Sequence, residues 1–499
     1  MKRLSAGQKL DGFLVHECIH SGGMAYIYKV EYDLESGHTT LNPGFDMVLK
    51  IPRMRDGDGA ENIIGFEIER QISPAVTGNH VPRFVASGDV GNTPYLIMEY
   101  IDGTTLEAEM ESGSIKDDQT IARIGAAMAR AAHSLHKQNV CHLDLKPANV
   151  LFRYRKDGSG VDWDQAVLLD FGLSCHAHYP DLMAEELRKA VGSPTWIAPE
   201  QVVGVRGDPR SDLFAIGVIL YQLTTNRTPF GSPSTASGMR QRLWMDPVPP
   251  KLRRSNVPDW LQEVILKCLE PEARRRYPSG AHLAFDLTNP GQVKITARGK
   301  QITRTSFWVH FKRWIRAAGM EYEPSPLPNQ QVDSVPIVMV ALPSREVSDD
   351  ILFSLREATQ RSMGLRRGAR LAVVTVIESG LLGSSHGDQS ETDTQRNMLT
   401  MLKNWAAPLD LDAHHASFHV LEASDVAEAL LNYAAGNHAS LIIMGAATRG
   451  LKMQRLIATI PIKVAMHAQC SVMLVKPNLP FELLGQMEED DGLDIFKNW

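Results

Sequence analysis

The stretch Cys141-His142-Leu143-Asp144-Leu145-Lys146-Pro147-Ala148-Asn149-Val150 decides how the rest of the chain is read. An apolar residue, a short polar loop and a return to Val150-Leu151-Phe152 place Asp144, Lys146 and Asn149 on one loop. An aspartate can take a proton from a hydroxyl, a lysine can neutralise a moving phosphoryl group, and an asparagine can hold a metal ion. Phosphoryl transfer needs that set, because its catalysis is mostly positioning and charge stabilisation. Taken alone, the stretch also reads as an interstrand loop whose Asp and Asn cap turns.

The chain has 499 residues, which exceeds what one hydrophobic core organises and points to two or three domains. Hydrophobic residues make up 43% and charged residues 22%, the profile of a soluble globular protein. A net charge of -6 argues against nucleic acid as the main partner, since a phosphate-binding surface carries a basic excess. The cysteines, Cys18, Cys141, Cys175, Cys268 and Cys470, are odd in number and lack metal-ligand spacing. Reduced thiols in a cytosolic compartment are therefore expected. The N-terminus lacks the apolar core of a signal peptide, and no run is long enough to span a bilayer, so the expected location is cytoplasmic.

Residues 13–32 alternate as two strands about a turn holding Gly22 and Gly23, where backbone amides can approach phosphate oxygens. Met47-Val48-Leu49-Lys50 reads as a strand ending in lysine, and Asp56-Gly57-Asp58-Gly59 as a flexible turn before a helix over 61–76. Residues 83–86 and 95–100 read as paired strands, and 120–136 as a core helix delivering the chain to the Asp144 loop. Asp170-Phe171-Gly172 closes a further apolar strand. Gly192-Ser193-Pro194-Thr195-Trp196-Ile197-Ala198-Pro199-Glu200 and Arg210-Ser211-Asp212-Leu213-Phe214-Ala215-Ile216-Gly217 follow in that order.

These ordered motifs resemble the protein kinase family over about residues 11–290, in particular bacterial-type serine/threonine kinases. The resemblance implies an α+β two-lobed fold with ATP and Mg²⁺ (or Mn²⁺) in the cleft. It implies Ile19, His20, Gly22, Gly23 and Ile27 over the nucleotide, although His20 and Ala25 stand where the family has glycines. Lys50 would hold the phosphates. Its expected partner is Glu69, because Ile72 and Val76 fall at +3 and +7 on the same helical side, with Glu67 the alternative. Met98 would guard the back of the pocket, and Glu99 would begin the hinge that reads adenine through backbone groups. Asn149 and Asp170 would hold the metal, Asp144 would be the base, and Lys146 would stabilise the transferred phosphoryl group. Asp212 would brace the catalytic loop and Arg276 would pair with Glu200.

The implied partner is a protein with a Ser or Thr acceptor. One departure is Leu143, where the family commonly has the arginine that binds a phosphorylated activation loop. Between Leu173 and Thr195 the hydroxyls are Ser174, Tyr179, Ser193 and Thr195, and Glu185 and Glu186 add negative charge, so control by loop phosphorylation is not expected.

Residues 291–334 read as a join: basic and aromatic (Arg298, Lys300, Arg304, Phe307, Trp308, Phe311, Lys312, Arg313, Trp314, Arg316), then Pro-rich from Glu323 to Pro328. A helix packed on the preceding domain is favoured over one lying on a membrane. Apolar strands at 337–342, 371–377, 418–421, 441–444 and 472–475 alternate with helical patterns, an α/β rhythm with a mostly parallel sheet. Residues 335–477 resemble the universal stress protein family. Where its nucleotide-binding members have a strand-end Asp and later glycines, this chain has Pro343, Thr448 and Ala458, which disfavours a nucleotide there; Thr459 could still donate to a phosphate. Residues 478–499 form an acidic tail. The resulting expectation is a kinase in stress-linked signalling, with a regulator or dimer contact through the last domain. The alternatives are a pseudokinase scaffold and a nucleotide-sensing stress protein with the kinase as effector.

Overall fold

The computed structural model describes residues 3–22, 25–33, 43–53, 60–88, 94–179, 181–183, 192–233, 235–317, 327–333, 335–344, 349–363, 369–378, 387–409, 411, 415–446 and 459–476. The chain divides into two compact units, Met1–Asp333 and Ser334–Trp499.

The first unit begins with an antiparallel sheet in the order β1-β2-β3-β4-β6-β5. Its strands are β1 (Lys9–Leu10), β2 (Phe13–Ser21), β3 (Ala25–Tyr32), β4 (Met47–Pro52), β5 (Phe84–Gly88) and β6 (Tyr95–Glu99). Alternation along β2 to β4 sends Val15, Tyr28, Val30 and Leu49 into one buried cluster, and the opposite face, with Ile27 and Lys50, is left for the cleft. The helix Ala60–Ile72 crosses beside it.

Beyond β7 (Gly103–Thr105) the chain is mainly helical. The helix Asp118–Lys137 starts on an Asp117 cap and buries Ile121, Ile124, Met128, Ala131 and Leu135, the spacing of one helical face. It packs on Arg210–Thr225, which is buried nearly all round, as a central helix must be. Short strands β8 (Val140–Cys141) and β11 (Cys175–His176) pair with each other, and β9 (Val150–Tyr154) lies between β7 and β10 (Val161–Leu168). The loop singled out in the sequence therefore hangs between β8 and β9.

The join is only partly as expected. The helix Phe307–Ala317 is fastened by its polar side: Arg313 pairs with Asp246, and His310 accepts from the Asp246 amide at 3.3 Å. Trp308 and Trp314 on this helix are 69% and 50% exposed. Pro328, read as the end of an extended linker, opens the helix Pro328–Asp333 instead, because proline suits a first helical turn.

In the second unit β12 (Ile337–Ala341), β13 (Arg370–Glu378), β14 (His415–Ala423), β15 (Leu441–Gly445) and β16 (Ser471–Val475) form a sheet ordered β14-β13-β12-β15-β16. Every described pairing in it is parallel. Helices such as Asp349–Met363 and Val426–Gly436 make the crossovers that parallel strands require.

Candidate active site

Two hydrogen-bonded groups face one cleft of about 590 Å³. The first belongs to the sheet lobe. Lys50, buried on β4, donates to both Glu69 oxygens at 2.6 and 2.7 Å and to Asp170 Oδ1 at 3.2 Å. Burial works against the ammonium, but the carboxylates of Asp170 and Glu69 outweigh it and raise its pKa. Lys50 in turn holds the Asp170 carboxyl down to about 2, so that group is ionised at any physiological pH. Glu67 takes no part, since Arg70 holds its carboxylate at 2.9 Å. The helical phase that favoured Glu69 is thus matched by the contact.

The second group sits on the loop between β8 and β9. Asp144 Oδ1 accepts from the Ser193 amide at 2.9 Å, and Oδ2 accepts from Lys146 Nζ at 2.9 Å. Lys146 also donates to Ser193 Oγ at 3.2 Å. Asn149 Nδ2 donates to the Asp144 carbonyl at 3.0 Å, which leaves its own amide oxygen as the acceptor end. The loop is held in a strained shape: Leu143 and Asp170 have φ of +62° and +65°, a region that costs a non-glycine residue about 1–3 kcal/mol. Asp212 offsets this by accepting from the His142 and Leu143 amides at 2.9 and 2.8 Å. Buried His136 Nε2 lies 2.8 Å from the same carboxylate, which stays low in pKa despite burial because of these hydrogen bonds.

His20, Gly22 and Ile27 line the cleft with Lys50, Glu69, Asp144, Lys146 and Asp170. A Cβ on Gly22 would meet His20 Nε2 at 2.8 Å, so a larger residue there would require the His20 ring to turn aside. Arg53 donates to the Gly22 carbonyl at 2.6 Å and steadies that edge. Gly23 lies outside the described residues, as do Asp56, Glu185, Glu186, Thr448 and Ala458. Ile19, Met98, Glu99 and Asn149 do not line this cavity. The Glu99 carboxylate is occupied by Arg83 at 3.0 Å and Arg153 at 3.3 Å, and its backbone amide donates to the Arg83 carbonyl at 2.9 Å.

Sequence reasoning missed several residues that set this geometry. Gln201 donates to the Leu143 carbonyl at 2.8 Å, and Arg206 ties Asp181 at 2.7 Å to the Leu173 carbonyl at 2.8 Å. Fully buried Arg242 grips the carbonyls of Pro194, Ile197 and Met239, and burial lowers its pKa to about 10.

The donor set fits a hard divalent cation. Asp170 is an ionised carboxylate at the cleft edge, Asn149 offers an amide oxygen, and substrate phosphates commonly complete such a shell. Among the described residues no group of three or more His, Cys, Asp or Glu is placed to hold a metal.

Residues 47–285 match the family model described as the protein kinase domain, and residues 354–476 match that of the universal stress protein family. This chain joins a protein kinase domain to a universal stress protein domain. A probable serine/threonine-protein kinase of Clostridium acetobutylicum is 24% identical over 56% of this chain and 39% of that protein. The serine/threonine-protein kinase PknB of Mycobacterium tuberculosis (strain H37Rv) is 28% identical over 65% of this chain and 50% of its own. The matched part is thus no more than half of either relative. In the kinase domain, Glu200 and Arg276 form a buried bidentate pair at 2.7 and 2.8 Å. In the stress protein domain, β12 ends at Ala341 and Leu342-Pro343-Ser344 follow, so that strand end carries no carboxylate. No described helix is long and apolar enough to cross a membrane.

Proposed function

We propose that the chain is an ATP-dependent serine/threonine protein kinase, cytoplasmic, acting in stress-linked signalling. The observation that carries this reading is that Lys50, Glu69, Asp170, Asp144 and Lys146 line one cleft, with Asn149 hydrogen-bonded to Asp144. Mg²⁺ or Mn²⁺, when bound at Asp170 and Asn149, would draw charge off the ATP phosphates. Lys50 would orient the α- and β-phosphates, since Glu69 and Asp170 fix its ammonium from two sides. Asp144 would accept the proton of a Ser or Thr hydroxyl lying in the position that Ser193 and Lys146 border. Lys146, already 2.9 Å from Asp144, would neutralise the transferred group.

Lys50→Met tests the reading. Transfer from γ-labelled ATP to a generic protein acceptor should fall by about 10²–10³-fold, the usual consequence of removing one fixed donor to developing charge. Equilibrium dialysis with an ATP analogue should give one site per wild-type chain, and Lys50→Met should weaken it. A second tight site that survives Lys50→Met would instead favour a nucleotide-binding stress protein domain. Unchanged transfer would remove Lys50 from the reaction.

Control by phosphorylation of the activation segment is not expected. Leu143 is buried and apolar, with its backbone already bonded to Asp212 and Gln201. Ser174 is buried and donates to the His142 carbonyl at 3.1 Å, and Ser193 is engaged by Lys146. Asp181 on Arg206 supplies a permanent negative charge in this segment, as a phosphate does elsewhere. Phosphatase treatment, verified by mass spectrometry, should change the rate by less than about tenfold, or 1.4 kcal/mol. A larger loss, restored by rephosphorylating 173–195, would overturn this and leave regulation through the fused domain or a partner without support.

A further inference from the structure

A surface helix ordinarily turns an apolar stripe to the core and a polar face to water. The helix Phe307–Ala317 is mounted the other way round. The residues that tie it to the kinase domain are polar: Arg313 pairs with Asp246, and His310 Nε2 accepts from the Asp246 amide. Thr305, just before the helix, donates to the Asp246 carboxylate at 2.7 Å. Trp308, Phe311 and Ile315 stand at i, i+3 and i+7, on the side opposite His310 and Arg313. Phe311 and Ile315 are 41% and 55% exposed, and Ile302 is an exposed apolar residue leading in. The rings form one strip, Trp308 to Phe311 at 6.2 Å between centroids and Phe311 to Trp314 at 6.1 Å. An exposed apolar face with a polar rim marks an interaction surface.

Charge narrows the partner. From Leu287 to Met320 the sequence holds no Asp or Glu, within a chain of net charge -6. Arg298 and Arg313 are paired with Glu263, Glu270 and Asp246. Lys300 and Arg304 lead into the helix, Lys312 lies four residues after Trp308 on the same side, and all three are exposed. A basic rim on an aromatic ridge complements a surface that is acidic outside and apolar beneath, as the headgroup layer of an anionic bilayer is. Tryptophan suits that layer because its ring is apolar and its N–H is polar. A protein partner would need a groove cut to the ridge, whereas a headgroup layer yields to it. At 1.5 Å per residue the 11 residues run about 16 Å, half of a hydrocarbon core of about 30 Å, so the helix lies along a bilayer and does not cross it.

We propose that the helix Phe307–Ala317 is a peripheral membrane contact. It lays Trp308, Phe311 and Ile315 into the headgroup layer of an anionic bilayer, with Lys300, Arg304 and Lys312 against the lipid phosphates and carboxylates. Arg313 and His310 keep the helix fixed to the kinase domain meanwhile, so the whole domain is carried to the surface. The contact is reversible, because one short apolar face is a weak anchor alone and salt screens the charge attraction that supplements it. The inference stands apart from the kinase reading, since no residue in it belongs to the Asp144 cleft.

The experiment is flotation of the full chain with vesicles of phosphatidylcholine alone, or of phosphatidylcholine mixed with phosphatidylserine. The chain should float with the mixed vesicles only, and less so as NaCl rises from about 0.1 to about 0.5 M. Trp308→Ser with Phe311→Ser should weaken binding by at least about tenfold. Lys300→Gln, Arg304→Gln and Lys312→Gln together should weaken it by about a hundredfold, since each charge near the surface counts for about fivefold. Brominated lipid should quench the tryptophan emission of the wild type, and much less that of a Trp308→Phe, Trp314→Phe chain, which keeps the apolar face and still floats. Thermal melting of each variant checks the fold. No flotation, equal flotation with both vesicle types, or flotation unchanged in the Trp308→Ser, Phe311→Ser chain overturns the proposal. So does a dimer in solution that those serines disperse and that leaves no vesicle-bound fraction, which would assign the face to a second copy of the chain.

Discussion

Asp144→Asn is expected to give a folded protein that transfers phosphate about 10³-fold more slowly, the middle of the range for loss of a general base. Asp144 is 8% exposed, and each of its oxygens is already an acceptor: Oδ1 from the Ser193 amide, Oδ2 from Lys146 and Asn149. Asparagine keeps the shape but puts an NH₂ where one acceptor was, facing either an N–H or an ammonium. The proton acceptor is lost, and the placement of Lys146 loosens with it. ATP binding should persist, because Lys50, Glu69 and Asp170 are untouched. The measurement is kcat and the KM for ATP on one acceptor protein, with thermal melting as a control. A variant retaining near wild-type kcat in a preparation free of other kinases would show that Asp144 is not the base.

The reaction centre was legible because its chemistry is concentrated in short segments. Asp144, Lys146 and Asn149 lie within six positions of one another, and a polar loop between apolar strands admits few other purposes. Glu69 was only preferred to Glu67, on the phase of Ile72 and Val76; Ile72 is buried on the helix, but the helix expected over 61–76 ends at Ile72 and Val76 lies beyond it. The stress protein domain was legible through its apolar runs, since a parallel strand is buried on both faces and reads as nearly continuous hydrophobic sequence. The supports around the centre were not. Gln201, Arg206 and Arg242 reach residues 25 to 58 positions away, and no local pattern marks an arginine that will be buried against carbonyls. Their signal is tertiary.

Arg276→Met should destabilise the kinase domain by about 3–5 kcal/mol, the usual effect of breaking a buried ion pair from one side. Arg276 Nη1 and Nη2 donate to the two Glu200 oxygens at 2.7 and 2.8 Å, and further bonds reach the carbonyls of Arg210, Glu270 and Pro271 at 2.8 to 3.0 Å. The Ser211 hydroxyl also donates to Glu200 at 2.6 Å, but it cannot neutralise a carboxylate. Methionine fills much of the arginine stem's volume, so the loss falls on charge and hydrogen bonding more than on packing. Arg276→Lys should recover only part of the stability, because an ammonium cannot match both oxygens and three carbonyls with one planar fork. Adding Glu200→Gln to Arg276→Met should give a double variant less damaged than the sum of the singles, since it removes the stranded charge. Urea unfolding of the full chain shows the shift, and amide hydrogen exchange over residues 199–225 identifies the unit that melts. The damage should reach catalysis too, because the helix that begins at Arg210 carries Asp212, the carboxylate bracing the strained Leu143 backbone. A loss below about 1 kcal/mol, the value of an exposed pair, would mean that water reaches Glu200 and that the pair is not the clamp its burial indicates.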